Sequence, residues 1–164
     1  EWQADENRAG NTMTRKLVIG IGNLMMKDDG IGVRVAEAIQ GRLREDGMTV
    51  LIGETDFQYC VDHIQATDFL IVIDALIQSK APGSVEVMPL REVLEDHAKF
   101  LAQHEFSLFD LMKLSYPNIE GYLIGIEAAE IGFGFRLSET LRQRFEQICE
   151  EVLGKILTAR EAHN

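Results

Sequence analysis

Cysteine is scarce in this chain, and its scarcity narrows the ways in which the fold can be stabilised. Cys60 and Cys149 are the only cysteines, and no CxxC pair occurs. Neither a disulfide framework nor a thiolate zinc site is therefore indicated. Both positions lie on the apolar faces of predicted helices, so we interpret them as core thiols. A chain of 164 residues is long enough to bury a core without cross-links.

Basic clusters and long apolar runs are also missing. The chain has 16 Lys and Arg against 27 Asp and Glu, and its formal net charge of -11 repels the phosphates of nucleic acids. The longest apolar run, 69–73, is far too short to cross a bilayer, and no signal peptide is recognisable. We therefore expect a cytoplasmic protein that has no nucleic-acid partner and no membrane partner.

Several common motifs of enzymes are absent as well. There is no GxSxG elbow, no HExxH helix and no GxxxxGK[ST] loop. Gly20 and Gly22 resemble part of a dinucleotide fingerprint, but acids stand where a pyrophosphate needs backbone donors. We expect no organic cofactor, and interpret these glycines as a sharp turn in which Asn23 bonds to the turn backbone. A nucleotide-binding regulatory module is an alternative, and it predicts thermal stabilisation by nucleotides.

What the sequence does contain is an alternation of strands and helices. Apolar runs predict strands at 16–21, 48–52, 69–74, 84–88 and 122–126. The spacing of Ile31, Val35, Ile39 and Leu43 predicts a first helix with one apolar face. Further helices are predicted at 57–64, in part of 91–101, at 105–114, and from an N-cap at Ser138 onwards. This order indicates an α/β fold, a three-layer α/β/α sandwich whose five-stranded, twisted sheet is mostly parallel, with helices on both faces.

One strand is expected to run against the others. Only nine residues separate Asp74 from the strand at 84–88, too few for a helical crossover, so this strand should return antiparallel. We expect one domain at 13–158. Residues 1–12 are interpreted as a disordered leader or a cloning remnant, and 159–164 as a polar tail into which the last helix fades.

Four residues are candidates for chemistry at the carboxyl edge of the sheet. Asp28 and Asp29 precede the first helix, where acids commonly cap free amides. Asp74 ends an apolar strand and needs a partner if it is buried, although loop amides could provide one. His104 precedes an apolar helix and is either a helix-start residue or a ligand. Together, Asp29, Asp74 and His104 offer two carboxylates and one imidazole, a set that suits Ni, Mn, Fe or Zn.

These segments resemble the [NiFe]-hydrogenase maturation protease family. The family signature GxGNxLxxD[DE]GxG is similar to "IGIGNLMMKDDGIG", and later family segments are similar to "FLIVIDALIQSKAPGSVEVM", "HEFSLFDLMKL" and "YLIGIEAAEIGFGFRLSETL". The similar segments follow one another in the family's order from about residue 16 to about residue 153. One departure is Gly53-Glu54-Thr55, where a Gly-Gly-Thr-like turn is more usual.

The resemblance implies an endopeptidase that removes the C-terminal extension of a hydrogenase large-subunit precursor after nickel insertion. It assigns the metal-contacting and catalytic roles to Asp29, Asp74 and His104, which would make the enzyme an aspartyl endopeptidase with a peptidase domain at 13–158. Nickel would be carried by the precursor, the expected protein partner. Asp28 would keep the helix cap while Asp29 faces the metal. A non-hydrolytic nickel-binding accessory protein of hydrogenase assembly would use the same three ligands, and hydrolysis of other peptides on the same fold is a further alternative.

Overall fold

The computed structural model describes residues 14–96 and 107–163. Within these residues, the strands are β1 (Lys16–Ile21), β2 (Thr49–Glu54), β3 (Phe69–Leu76), β4 (Val85–Pro89) and β5 (Glu120–Glu127). The helices are α1 (Ile31–Glu45), α2 (Phe57–His63), α3 (Leu90–Glu95), α4 (Leu108–Ser115) and α5 (Glu139–His163), and a short 3-10 turn, Lys27–Gly30, precedes α1.

The five strands form one mixed sheet in the order β2-β1-β3-β5-β4. β1 pairs in parallel with β2 and β3, and β3 pairs in parallel with β5. β4 lies at the edge and runs antiparallel to β5. The mixed, mostly parallel sheet predicted from the sequence is confirmed. The carboxyl ends of four strands therefore lie at one edge, which is where ligands bind in open α/β sheets.

Helices cover both faces of the sheet, which confirms the three-layer arrangement. α1 and α5 pack on one face, and the inward stripe of α1 at Ile31, Val35, Ile39 and Leu43 is buried there. α2, α3 and α4 contribute their apolar residues to the core on the other face. No helix in the described ranges combines the length and the apolar character that crossing a bilayer requires.

Several elements extend further than the sequence pattern predicts. β3 continues two residues beyond Asp74, because β5 pairs with it along its whole length up to Leu76. α5 continues to His163, so residues 159–163, expected as a polar tail, are helical. Ala159 is buried there, and the His163 ring stacks on Phe69 at 4.1 Å between centroids. Residues 1–12, expected as a leader, lie outside the described part of the chain.

The two cysteines are free thiols packed in the core. Cys60 is fully buried and Cys149 is half-buried. Burial raises the pKa of Cys60 to about 12 and that of Cys149 to about 11, and the charges of Asp56 and Glu146 add to the respective shifts. Both thiols are therefore protonated at neutral pH and unreactive, as predicted for core positions.

Candidate acidic site at the carboxyl edge of the sheet

The chain leaves β1 through a turn that brings it back against itself. Gly22 has a φ of 141° and donates its N–H to Glu54 O at 3.0 Å. A Cβ at Gly22 would lie 2.0 Å from Asp29 O, so only glycine fits here. The Asn23 side-chain oxygen accepts from Met25 N–H at 2.9 Å, which confirms its predicted bond within the turn.

Asp29 lies in the 3-10 turn that follows, and it is 2% exposed. Its Oδ2 accepts from Asn23 N–H at 2.9 Å, and its own N–H donates to Met26 O at 3.1 Å. The carboxylate is therefore held by the same turn that ends β1. These local hydrogen bonds orient the carboxylate, which is carried by a short side chain.

The first turn of α1 touches the backbones of two strands. A Cβ at Gly32 would lie 2.3 Å from Ile73 O and 2.6 Å from Ile21 O. α1 therefore begins in contact with β1 and β3 at a distance that any side chain would prevent. This close approach brings Asp29 next to Asp74, the residue that follows Ile73.

Asp74 stands opposite Gly125 in the β3–β5 register, and its Oδ1 accepts from Ala75 N–H at 2.8 Å. The residue is partly exposed, yet protein surrounds its carboxyl group. Burial raises the pKa of Asp74 well above its ordinary value, the negative charge of Asp29 raises it further, and the Ala75 hydrogen bond lowers it only in part. The two carboxylates thus repel each other at the sheet edge, as two acids sharing a small site do.

This repulsion determines which ligands the pair of carboxylates can hold. Two carboxylates that share a low-dielectric site hold either a proton or a cation between them. Within 14–96 and 107–163, no third histidine, cysteine or acid completes a metal-binding group. His104, the predicted nitrogen ligand, lies outside the described residues.

Asp28 has a different role from the one predicted. It does not cap α1, whose N-cap is Gly30 without a side-chain hydrogen bond. The fully buried Asp28 carboxylate instead accepts three backbone N–H groups, from Ala129 and Glu130 at 2.9 Å each and from Ser138 at 2.7 Å. It holds the loop between β5 and α5 against the turn, so the cap prediction for Asp28 is wrong. Ser138 is the N-cap of α5 as expected, accepting from Leu141 N–H at 3.3 Å.

Two further acids lie at the carboxyl ends of strands, Glu127, which the sequence patterns missed, and Glu54. Glu127 ends β5, is 3% exposed, and accepts from Gln78 N–H with both carboxylate oxygens at 3.1 and 3.0 Å. Glu54 has a φ of 50°, a backbone conformation that favours glycine. This backbone conformation explains why glycine is the better residue at position 54, as in the more usual Gly-Gly-Thr-like turn.

Fold and geometry together define a three-layer α/β protein with two neighbouring acids, Asp29 and Asp74, at the carboxyl edge of its sheet. The family model described as hydrogenase maturation protease, HycI, matches residues 33–155. The chain belongs to this family. The matched span contains Asp74 and His104 and begins shortly after Asp29.

Individual relatives agree with this assignment. The chain is 38% identical over 138 residues to the hydrogenase expression/formation protein HupM of Azotobacter chroococcum, covering 79% of this chain and 66% of that protein. It thus spans about two thirds of the length of this relative. The structure of the hydrogenase maturating endopeptidase HybD from Escherichia coli is 26% identical with a TM-score of 0.72, covering 91% of this chain and 94% of that one.

A second solved structure is also similar. The [NiFe] hydrogenase maturation protease HybD from Thermococcus kodakarensis is 28% identical with a TM-score of 0.66, and the match covers 87% of this chain and 99% of that one. The similarity therefore extends over almost the whole of a solved family member.

Proposed function

We propose that this chain is an endopeptidase that removes the C-terminal extension from a nickel-loaded [NiFe]-hydrogenase large-subunit precursor. The observation that carries the proposal is the placement of Asp29 beside Asp74 at the carboxyl edge of the sheet, where the first turn of α1 contacts β1 and β3. Two neighbouring acids, one of them almost fully buried, are typical of a site that receives a cation or a proton during function.

The proposed role of the pair is to recognise the nickel ion that the precursor carries. Asp29 and Asp74 supply oxygen ligands, and His104 supplies a nitrogen ligand. Contact with the ion makes metal loading a condition for productive docking, and it holds the scissile bond in a fixed position. An ion held there can polarise the scissile carbonyl or activate a water molecule.

The test is cleavage of purified precursor, followed by intact-mass measurement. We expect the wild-type chain to shorten the nickel-loaded precursor and to leave the nickel-free precursor intact. Asp29→Asn, Asp74→Asn and His104→Ala should each reduce the rate by at least about a hundredfold, because each removes a group that positions the reaction. Asp62→Asn is the matched control, since Asp62 is an exposed acid on α2.

Two results would contradict the proposal. Normal processing by all three site variants would exclude the assigned residues. Nickel-dependent binding of the precursor without any change in its mass would instead favour a non-hydrolytic accessory protein. Thermal unfolding of each variant shows whether a lost activity reflects a lost fold.

A further inference from the structure

The loop between β5 and α5, residues 128–138, lies directly beside the acidic site. Lys27 N–H donates to Gly134 O at 2.9 Å, and Gly134 N–H donates to Met25 O at 2.8 Å. These bonds join the loop to the turn that carries Asp29, in addition to the three bonds to Asp28. The loop is therefore fixed to the turn that carries Asp29.

Two adjoining cavities form a groove along this loop. The first has a volume of about 690 Å³ and is lined by Arg34, Arg136 and Arg142 among others. The second, of about 500 Å³, shares Phe135, Arg136 and Arg142 with the first and reaches Lys27. The groove thus runs from α1 to Lys27, which lies in the same 3-10 turn as Asp29.

The first cavity of the groove has a net positive charge in a net negative molecule, whereas in the second Lys27, Arg136 and Arg142 stand with Glu130 and Glu139. Three arginines and one glutamate, Glu37, line the first cavity, in a chain with 16 basic and 27 acidic residues. Arg142 pairs with the exposed Glu139 at 3.3 Å. Among the described residues, neither Arg34 nor Arg136 forms an ion pair. Arg34 Nε is buried without a hydrogen-bond partner, while its Nη2 donates to Phe135 O at 2.5 Å.

Exposed aromatic rings stand at the same place. Phe133 is 72% exposed and Phe135 is 62% exposed, and their rings contact each other edge to face at 5.5 Å between centroids. Large apolar side chains left in water beside arginines are typical of protein interaction surfaces. The combination fits a peptide segment that carries both carboxylates and apolar side chains.

We propose that this groove, defined by Arg34, Phe135, Arg136 and Arg142, binds a carboxylate-bearing segment of the client protein while the acidic pair engages the reaction site. Guanidinium groups bind carboxylates through two parallel N–H···O bonds, which gives the groove both affinity and orientation. The identity of the client as the hydrogenase precursor rests on the proposed function. The preference for carboxylates rests on the groove itself.

Peptide binding tests the groove without any cleavage. A short fluorescein-labelled peptide that alternates Glu with Leu is compared, by fluorescence anisotropy, with a matched peptide that has Gln in place of Glu. We expect the Glu peptide to bind more tightly and to weaken in about 0.3 M NaCl, where screening is strong. The double variant R136E/R142E should weaken it about tenfold or more.

The control variant is R44E/K155E, which makes the same change in net charge at two exposed residues outside the groove. It should bind the Glu peptide like the wild type. Equal affinity for the Glu and Gln peptides, or equal loss in the two double variants, would overturn the proposal, because either result would assign the effect to apolar contact or to net charge.

Cleavage kinetics give a second readout. With the nickel-loaded precursor, R136E/R142E should raise KM about tenfold with little change in kcat, because the groove binds the client away from the reacting bond. Kinetics identical to those of R44E/K155E would contradict the docking role. If the wild-type chain fails to shorten the precursor, the proposed function is wrong, and the peptide measurements still decide the chemistry of the groove.

Discussion

At the scale of single residues, Asp28 and Asp29 are sequence neighbours with opposite surroundings. Asp28 is enclosed and bonded to the amides of a distant loop. Asp29 is held by its own turn and faces the charge of Asp74. These contacts give Asp28 a structural role, and the proposed function gives Asp29 a chemical one.

This difference predicts opposite effects of substitution. Asp28→Ala should lower the free energy of unfolding by about 2–4 kcal/mol, because three buried N–H groups lose a charged acceptor. Asp29→Asn should have a small effect, because the amide keeps an oxygen for Asn23 N–H and removes one of two repelling charges. Urea denaturation of both variants measures the contrast. A loss of stability in Asp29→Asn as large as that in Asp28→Ala would assign Asp29 a structural role.

Asp74 predicts a pH dependence of stability with a definite sign. Its folded-state pKa is raised by burial and by Asp29, so the folded state binds the proton more tightly than the unfolded chain. This tighter proton binding stabilises the folded state at pH values below the unfolded pKa of about 4. The stabilisation is lost as the pH rises through the folded-state pKa.

Asp74→Asn should therefore raise the Tm at neutral pH and have little effect in acid, while Asp62→Asn should not show this dependence. The asparagine retains an oxygen for Ala75 N–H, so the change isolates the charge. Thermal unfolding across the pH range measures it. A Tm that falls at neutral pH would mean that the Asp74 charge stabilises the fold.

Local patterns predict this site only in part. Asp74 is identifiable because it ends an apolar run, and Asp29 because it precedes the first helix after β1; both positions are expected at the carboxyl edge of the sheet. The role of Asp28 could not be predicted, because its partners lie 101 to 110 residues away. An aspartate that caps a helix and an aspartate that binds a distant loop have the same local sequence.

At the scale of elements, the contact between α1 and the sheet determines where the acids lie. Gly32→Ala should lower the free energy of unfolding by about 3 kcal/mol and impair cleavage, because the new Cβ would meet the carbonyls of Ile73 and Ile21. Gly41→Ala on the same helix is the matched control, since nothing lies within 4 Å of a Cβ there. Chemical denaturation should show a gain of about 0.5–1 kcal/mol for this control, from helix propensity alone. Equal effects of the two changes would exclude the close approach as a constraint.

The elements themselves were largely predictable. β1 matches its predicted bounds at both ends, because the run from Leu17 to Ile21 is buried on both faces of the sheet and no polar residue interrupts it. β3 was predicted two residues too short because Asp74 interrupts its apolar run, whereas pairing with β5 continues to Leu76. Pairing with a neighbouring strand is a non-local property that a single run of residues does not contain.

At the scale of the whole molecule, the alternation of strands and helices was sufficient for the fold class. The connection after Asp74 is too short for a helical crossover, and this shortness identified β4 as the antiparallel strand. The position of β4 beside β5 and not beside β3 was not predictable, because strand order depends on which faces the helices cover. The basic groove was equally hidden, since Arg34, Arg136 and Arg142 come together only when α1, the loop after β5 and α5 meet.

The buried Asp28 carboxylate connects the acidic pair mechanically to the groove. It bonds the turn that holds Asp29 to the loop that holds Phe135 and Arg136, so a displacement of either segment strains the same three hydrogen bonds. In the proposed function the groove and the acidic pair engage one client, so both binding events would act on the same three hydrogen bonds, and any coupling between them would be reciprocal.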